Sequence, residues 1–128
     1  MLVGFHDGYL NGVKSAPNGD VTLWLSTTEG IEYLVVIPTV QRLWLSSFTG
    51  SNVINAILLY TPQRAPPGLL GTLWGIDPST ERTLFDRRLG AFAANKRMLL
   101  EIATSDGCSF IAEFEGDSGA LQIRQVAK

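Results

Sequence analysis

The chain has 128 residues, 45% hydrophobic and 17% charged, with a formal net charge of -2; it is the length of one domain, able to bury a core without disulfides or metal. Disordered and collagen-like chains are excluded by the same composition. The longest nearly unbroken apolar run, Gly68 to Ile76, falls well short of the about 18 residues that cross a bilayer, and a pI of about 5.3 with no long basic run argues against a broad nucleic-acid footprint.

The opening Met1-Leu2-Val3-Gly4-Phe5 has no basic segment and reaches His6-Asp7 at once, so no signal peptide is expected. A single cysteine, Cys108, suits a reducing cytoplasm. Residues 1 to 60 hold only six charges: Asp7, Lys14, Asp20, Glu29, Glu32 and Arg42. A surface so poor in charge is what a buried subunit interface leaves behind, and a homo-oligomer is expected.

The first half reads as strands punctuated by turns. Asn18-Gly19 supplies the positive φ of a tight hairpin between Tyr9–Ser15 and Asp20–Thr28, and Glu29-Gly30 makes the next turn. Ile31, Tyr33, Val35 and Ile37 alternate on one face of a third strand whose other face, Leu34 and Val36, is also apolar; this predicts a strand covered on both sides. Val40–Ser46 and Val53–Thr61 continue the pattern around the turn-rich Phe48–Asn52.

Prolines and glycines from Pro62 to Asp77 read as the main connection. Asp77-Pro78 then has the chemistry of a helix start, N-cap and N1. On a helical wheel Phe85, Leu89, Phe92 and Ala93 form a core-facing stripe with Leu84 outside it, which predicts one amphipathic helix over 78–94. Three strands follow, with Met98, Leu100 and Ile102, then Cys108, Phe110, Ala112 and Phe114, then Leu121 and Ile123 alternating inward. Glu101, Glu113 and Arg124 take the opposite face, read as solvated. The fold class is α+β: a single domain over 1–128, mainly antiparallel β, with about eight strands in a curved sheet or two layers and one helix against it.

Chemistry has few carriers. One histidine and one cysteine leave no multi-histidine or cysteine-rich metal site, so no metal or cofactor is expected. Cys108, in phase with Phe110, reads as structural. Gly116-Asp117-Ser118-Gly119 has the residue types of a hairpin turn before those of a serine nucleophile. His6-Asp7 is the sharpest polar feature, read chiefly as a clamp at the start of the first strand and secondarily as a ligand or partner contact. Trp24 shares a half-polar face with Thr22, Ser26 and Thr28, and Trp44 shares one with Arg42 and Ser46. Either indole at the surface would be an interface anchor with Arg42; the alternative has both packed beneath the helix or the proline-rich loop.

Three segments together, Phe5-His6-Asp7-Gly8-Tyr9-Leu10, Gly50-Ser51-Asn52-Val53-Ile54 and Ser105-Asp106-Gly107-Cys108-Ser109-Phe110-Ile111-Ala112-Glu113, resemble small uncharacterised bacterial proteins, some grouped with immunity proteins of polymorphic toxin systems. The resemblance implies a compact β-rich protein without catalysis that binds another protein, and an immunity-type role implies a toxin as partner. The expected function is therefore non-enzymatic protein binding. The alternative is a small-molecule binding module with a pocket between sheet and helix, and an enzyme using Asp7 or Asp106 ranks third. A cavity on which His6, Asp7 and Asn52 converge would favour the small molecule; a flat patch exposing Trp24 or Trp44 would favour the partner protein.

Overall fold

The computed structural model describes residues 4–107 and 109–126, and Cys108 lies outside them. Eight strands, β1 (Tyr9–Ser15), β2 (Val21–Ser26), β3 (Glu32–Ile37), β4 (Val40–Ser46), β5 (Val53–Tyr60), β6 (Arg97–Asp106), β7 (Ser109–Glu115) and β8 (Gln122–Gln125), form one antiparallel sheet. Two helices, α1 (Pro67–Trp74) and α2 (Arg82–Ala94), lie between β5 and β6 in the chain. The expected α+β class holds, and the sheet order is β4-β7-β6-β5-β1-β2-β3-β8.

Hairpin turns set the local order. Gly19 at φ +93° and Gly30 at φ +82° close the β1–β2 and β2–β3 turns, and the Asn18 side chain accepts from the Asp20 N–H. The sheet is two four-stranded halves, β4-β7-β6-β5 and β1-β2-β3-β8, joined by the short β5–β1 seam. It curls so that both halves turn their inner faces onto one core, where Leu10, Leu23, Val35, Ile57, Leu100, Phe110 and Phe114 are fully buried. The chain crosses between halves twice. At Pro38-Thr39 it leaves β3 for β4, a corner held by the Asp20 carboxylate, which accepts from the Thr39 N–H; after Glu115 a 3-10 turn, Ser118–Ala120, leads to β8.

The helices cover the outer face of the first half only, packing on β4, β6 and β7. There a second cluster gathers Leu70, Leu73, Trp74, Phe85, Phe92, Leu99 and Ile111, with Trp44, Tyr60 and Leu89 packed against it. The sequence reading placed only a connection at 62–77, yet α1 forms: Pro67 stands at a first-turn position, where its missing N–H costs nothing, and Gly75 at φ +68° ends the helix. Asp77 does cap a turn, accepting from the Ser79 hydroxyl and N–H, but α2 proper starts at Arg82, after the expected 78. Within α2, Phe85 and Phe92 are buried and Leu84 is exposed as the wheel requires, whereas Ala93 is exposed.

The outer face of β3 departs from expectation. Leu34 and Val36 are half-buried, but the helical cluster contains no residue of β1, β2, β3 or β8, so this half's outer face has no second layer from the described residues.

Candidate functional site

That bare face is ordered by strand register. Cross-strand partners point to the same side, and the register gives three rows: Tyr9–Ser26–Glu32, Gly12–Trp24–Leu34–Arg124, and Lys14–Thr22–Val36–Gln122. Trp24 stands at the centre, 37% exposed, and Tyr9 is 41% exposed. Gly12 has no side chain beneath the indole; a Cβ there would lie 3.4 Å from Trp24 Cε3, so the ring rests on the backbone of β1. Around the apolar centre stand Lys14, Glu32 and Arg124, all exposed, and among the described residues none of the three is seen in an ion pair or side-chain hydrogen bond. An aromatic in the middle of a face with polar groups at its edge is the composition of a protein-binding patch.

The other candidates lie elsewhere. Trp44 is half-buried against the helical cluster, on the outer face of the opposite half, so the two tryptophans share no patch. Arg42 stands beside Trp44 on β4 and reaches the Trp74 carbonyl at 3.5 Å. His6 and Asp7 are exposed, with His6 Nε2 3.6 Å from Asp7 Oδ2. His6 Nδ1 donates to the Asn55 carbonyl at 2.8 Å, and Asp7, at φ +63°, donates its N–H to Ile54 O. Asn52 is buried: its amide donates to Leu10 O and Thr49 O, and its Oδ1 accepts from Thr49 N–H. These three residues line neither of two surface clefts. One, of about 260 Å³, lies between Thr61, Lys96, Arg97 and Asp117; the other, of about 290 Å³, lies at Leu34, Arg124, Gln125 and Val126. Among the described residues no three His, Cys, Asp or Glu come together as a metal site would require, and no helix is long and apolar enough to cross a membrane.

A polar network that sequence reading missed sits under α1. Glu113, read as solvated, is fully buried: Oε1 accepts from Trp74 Nε1 at 2.9 Å and Oε2 from Arg97 Nη1 at 2.9 Å. Arg88 lies 5.3 Å from the Trp74 ring centroid, a cation–π contact on the same indole. Alternation correctly put Glu113 opposite Phe114, but only the topology reveals that a helix covers that side. Nearby, Tyr60 donates to Glu101 Oε1 at 2.8 Å, and burial, with the Glu101 carboxylate, pushes the phenol up to about 12.

Tyr60 yields a direct test. Its folded-state pKa is above the ordinary value of about 10, so its contribution to stability is complete below pH 10 and is lost as pH rises from 10 through 12. Absorbance titration near 295 nm should show a tyrosine component ionising near 12 that Tyr60→Phe removes and that Glu101→Gln brings down towards the ordinary value of about 10. The absence of any such raised component in the folded protein would contradict the Tyr60–Glu101 bond.

No family model, no curated protein and no solved structure matches this chain.

Proposed function

We propose that this domain is a non-enzymatic protein-binding module whose contact surface is the outer face of β1-β2-β3-β8, centred on Trp24. The observation that carries the reading is an indole 37% exposed at the centre of a sheet face that no helix of the described residues covers. Large exposed aromatics within an organised patch are the usual anchors of interfaces. The small-molecule alternative has less support, since His6 Nδ1 is occupied by a backbone carbonyl and the Asn52 side chain is bonded to Thr49 and to Leu10 O. In this reading the resemblance to immunity proteins supplies the kind of partner, a toxin polypeptide met in the cytoplasm. The exposed Arg42 and the half-buried Trp44 lie on the helix-covered half, away from Trp24, so this reading centres on Trp24 alone.

The experiment is Trp24→Ala combined with a photo-crosslinking amino acid at Thr22, on the same face. Truncating an interface tryptophan costs about 2 kcal/mol or more of binding, roughly thirtyfold in affinity. Expected is a polypeptide crosslinked through position 22, identified by mass spectrometry, its yield collapsing in the Trp24→Ala background while the unfolding midpoint moves by only a few degrees. If Trp24→Ala unfolds the protein as a core truncation would, or leaves crosslinking unchanged, the reading is wrong.

A further inference from the structure

The sheet order is unchanged when each of the first four strands trades places with its counterpart among the last four. Exchanging β1 with β5, β2 with β6, β3 with β7 and β4 with β8 returns β8-β3-β2-β1-β5-β6-β7-β4, the observed order read from the other end. Such an exchange is a two-fold rotation about the β1–β5 seam, and single residues obey it. Across the seam Leu10 N–H donates to Asn52 O and Ile54 N–H to Gly8 O, both at 2.9 Å, which equates Leu10 with Ile54 and Gly8 with Asn52. An asparagine follows each, Asn11 or Asn55, and there the ladder to the next strand skips a residue. Two positions further on, Val13–Leu23–Val35–Ile123 cross the first half as one inner row. Ile57–Ile102–Phe110–Leu45 cross the second half as its counterpart. The rows agree even at the edge strands, where Ile123 is 46% and Leu45 41% exposed.

We infer that the chain is two copies of one four-stranded unit, residues 8–46 and 52–125, each lending its fourth strand to the other, and that two chains exchange these units about the linker 47–51 to form a dimer. Strand β4 leaves the first unit to pair with β7, and β8 leaves the second to pair with β3. The contacts between units are therefore these two lent ladders, the seam and the shared core. None of them requires both units to belong to one chain, so each lobe of the dimer joins the first unit of one copy to the second unit of the other. The helices are where the units part. They occupy the β5–β6 connection, whose counterpart between β1 and β2 is only residues 16–20, and this leaves one outer face covered and the other bare. Exchange does not alter the Trp24 face, so the inference stands apart from the reading of that face as a binding surface.

Linker length decides between the closed chain and the exchanged pair. Strand β4 ends and β5 begins on the same rim of the sheet, three strand spacings or about 14 Å apart. The seven links from Ser46 to Val53 reach about 24 Å when extended, enough for the chain to close on itself. Closure within one chain acts at an effective concentration on the order of 1 mM, so the closed monomer prevails at micromolar concentration. Removing residues 48–51 leaves three links, which reach at most about 11 Å. That is too short for closure, and exchange is the arrangement left.

The test uses the full chain with Cys108→Ser, Ser46→Cys and Ser109→Cys, the last two facing each other between β4 of the first unit and β7 of the second. Cross-strand neighbours come within reach of a disulfide, formed with glutathione disulfide as oxidant. The bond ties a closed chain to itself but ties an exchanged chain to its partner. Without residues 48–51 the protein is expected to sediment at about twice the chain mass of 13.9 kDa and to stay a covalent dimer on a denaturing gel until reduced. With the natural linker, refolding from urea at about 10 μM should give bonds within chains, and at about 1 mM a share of bonds between chains at least tenfold larger. A shortened chain that is a folded monomer, or a dimer bonded only within its chains, overturns the inference. Where the shortened chain fails to fold, the refolding series decides alone: bonds within chains at every concentration overturn the inference, and bonds between chains that grow with concentration support it.

Discussion

Glu113→Ala is expected to destabilise the protein by about 2–4 kcal/mol, because it removes the buried acceptor of the Trp74 indole and the nearer of the two carboxylates that face the partly exposed Arg97, leaving only Glu115 at 3.9 Å. Glu113 has no exposed surface, and each carboxylate oxygen serves a different donor. Truncation strands Trp74 Nε1 at the end of α1 and Arg97 Nη1 on β6, and it leaves a void beneath the helix. Glu113→Gln keeps the volume and an acceptor for the indole while removing the charge facing Arg97, so its loss should fall between wild type and alanine. Replacing Glu113 and Arg97 together by leucine and methionine should recover much of the difference, since a buried pair costs desolvation that apolar residues avoid. Urea unfolding of the four proteins decides the matter. A Glu113→Ala loss below about 1 kcal/mol would mean that water reaches the carboxylate and that α1 is not seated as described.

Gly8→Ala should be comparably damaging, by about 3 kcal/mol or more, for a different reason. A Cβ on Gly8 would sit on the Ser26 carbonyl oxygen and 3.0 Å from the Phe5 carbonyl oxygen, both backbone atoms that cannot turn aside. Gly8 N–H donates to Phe5 O, and Gly8 O accepts from Ile54 N–H, so any shift that relieved the clash would disturb the β1–β5 seam. Thermal unfolding is the measurement, with His6→Ala, an exposed site on the same turn, expected to lose much less. Equal losses in the two variants would refute the steric argument.

Both cases mark how far the sequence could be read. Strands and hairpins were legible because alternation and glycine turns are local signals, and Met98, Leu100, Phe110 and Phe114 face the core as their period requires. The helix α1 was not legible, because Pro67, Gly71 and Gly75 carry the composition of a loop; its stability comes from burying Leu70, Leu73 and Trp74 on a sheet face that only the topology supplies. Gly71 is itself a packing residue, since a Cβ there would lie 2.6 Å from Ile76 O. At the candidate site, Trp24 was legible from its half-polar face. Its separation from Trp44 was not, because β2 and β4 lie in different halves and no local pattern encodes which outer face the helices cover. In the Phe5-His6-Asp7-Gly8 segment the eye goes to the polar pair, whereas the closest backbone approach is at Gly8.

The position of β4 at the edge of the sheet has a consequence for how the chain is made. Strands β1, β2 and β3 pair with their neighbours in sequence and can assemble as they are synthesised, but β4 has only β7 as a ladder partner, with Val40 opposite Phe114 and Ser46 opposite Ser109. Until residues 109–115 exist, a segment carrying Leu43, Trp44 and Leu45 has no ladder partner among the described strands. That interval is when a nascent chain is open to strand-to-strand aggregation and is a natural client for a chaperone. It ends when β7 arrives, and a stop or frameshift before Ser109 would leave the interval permanent.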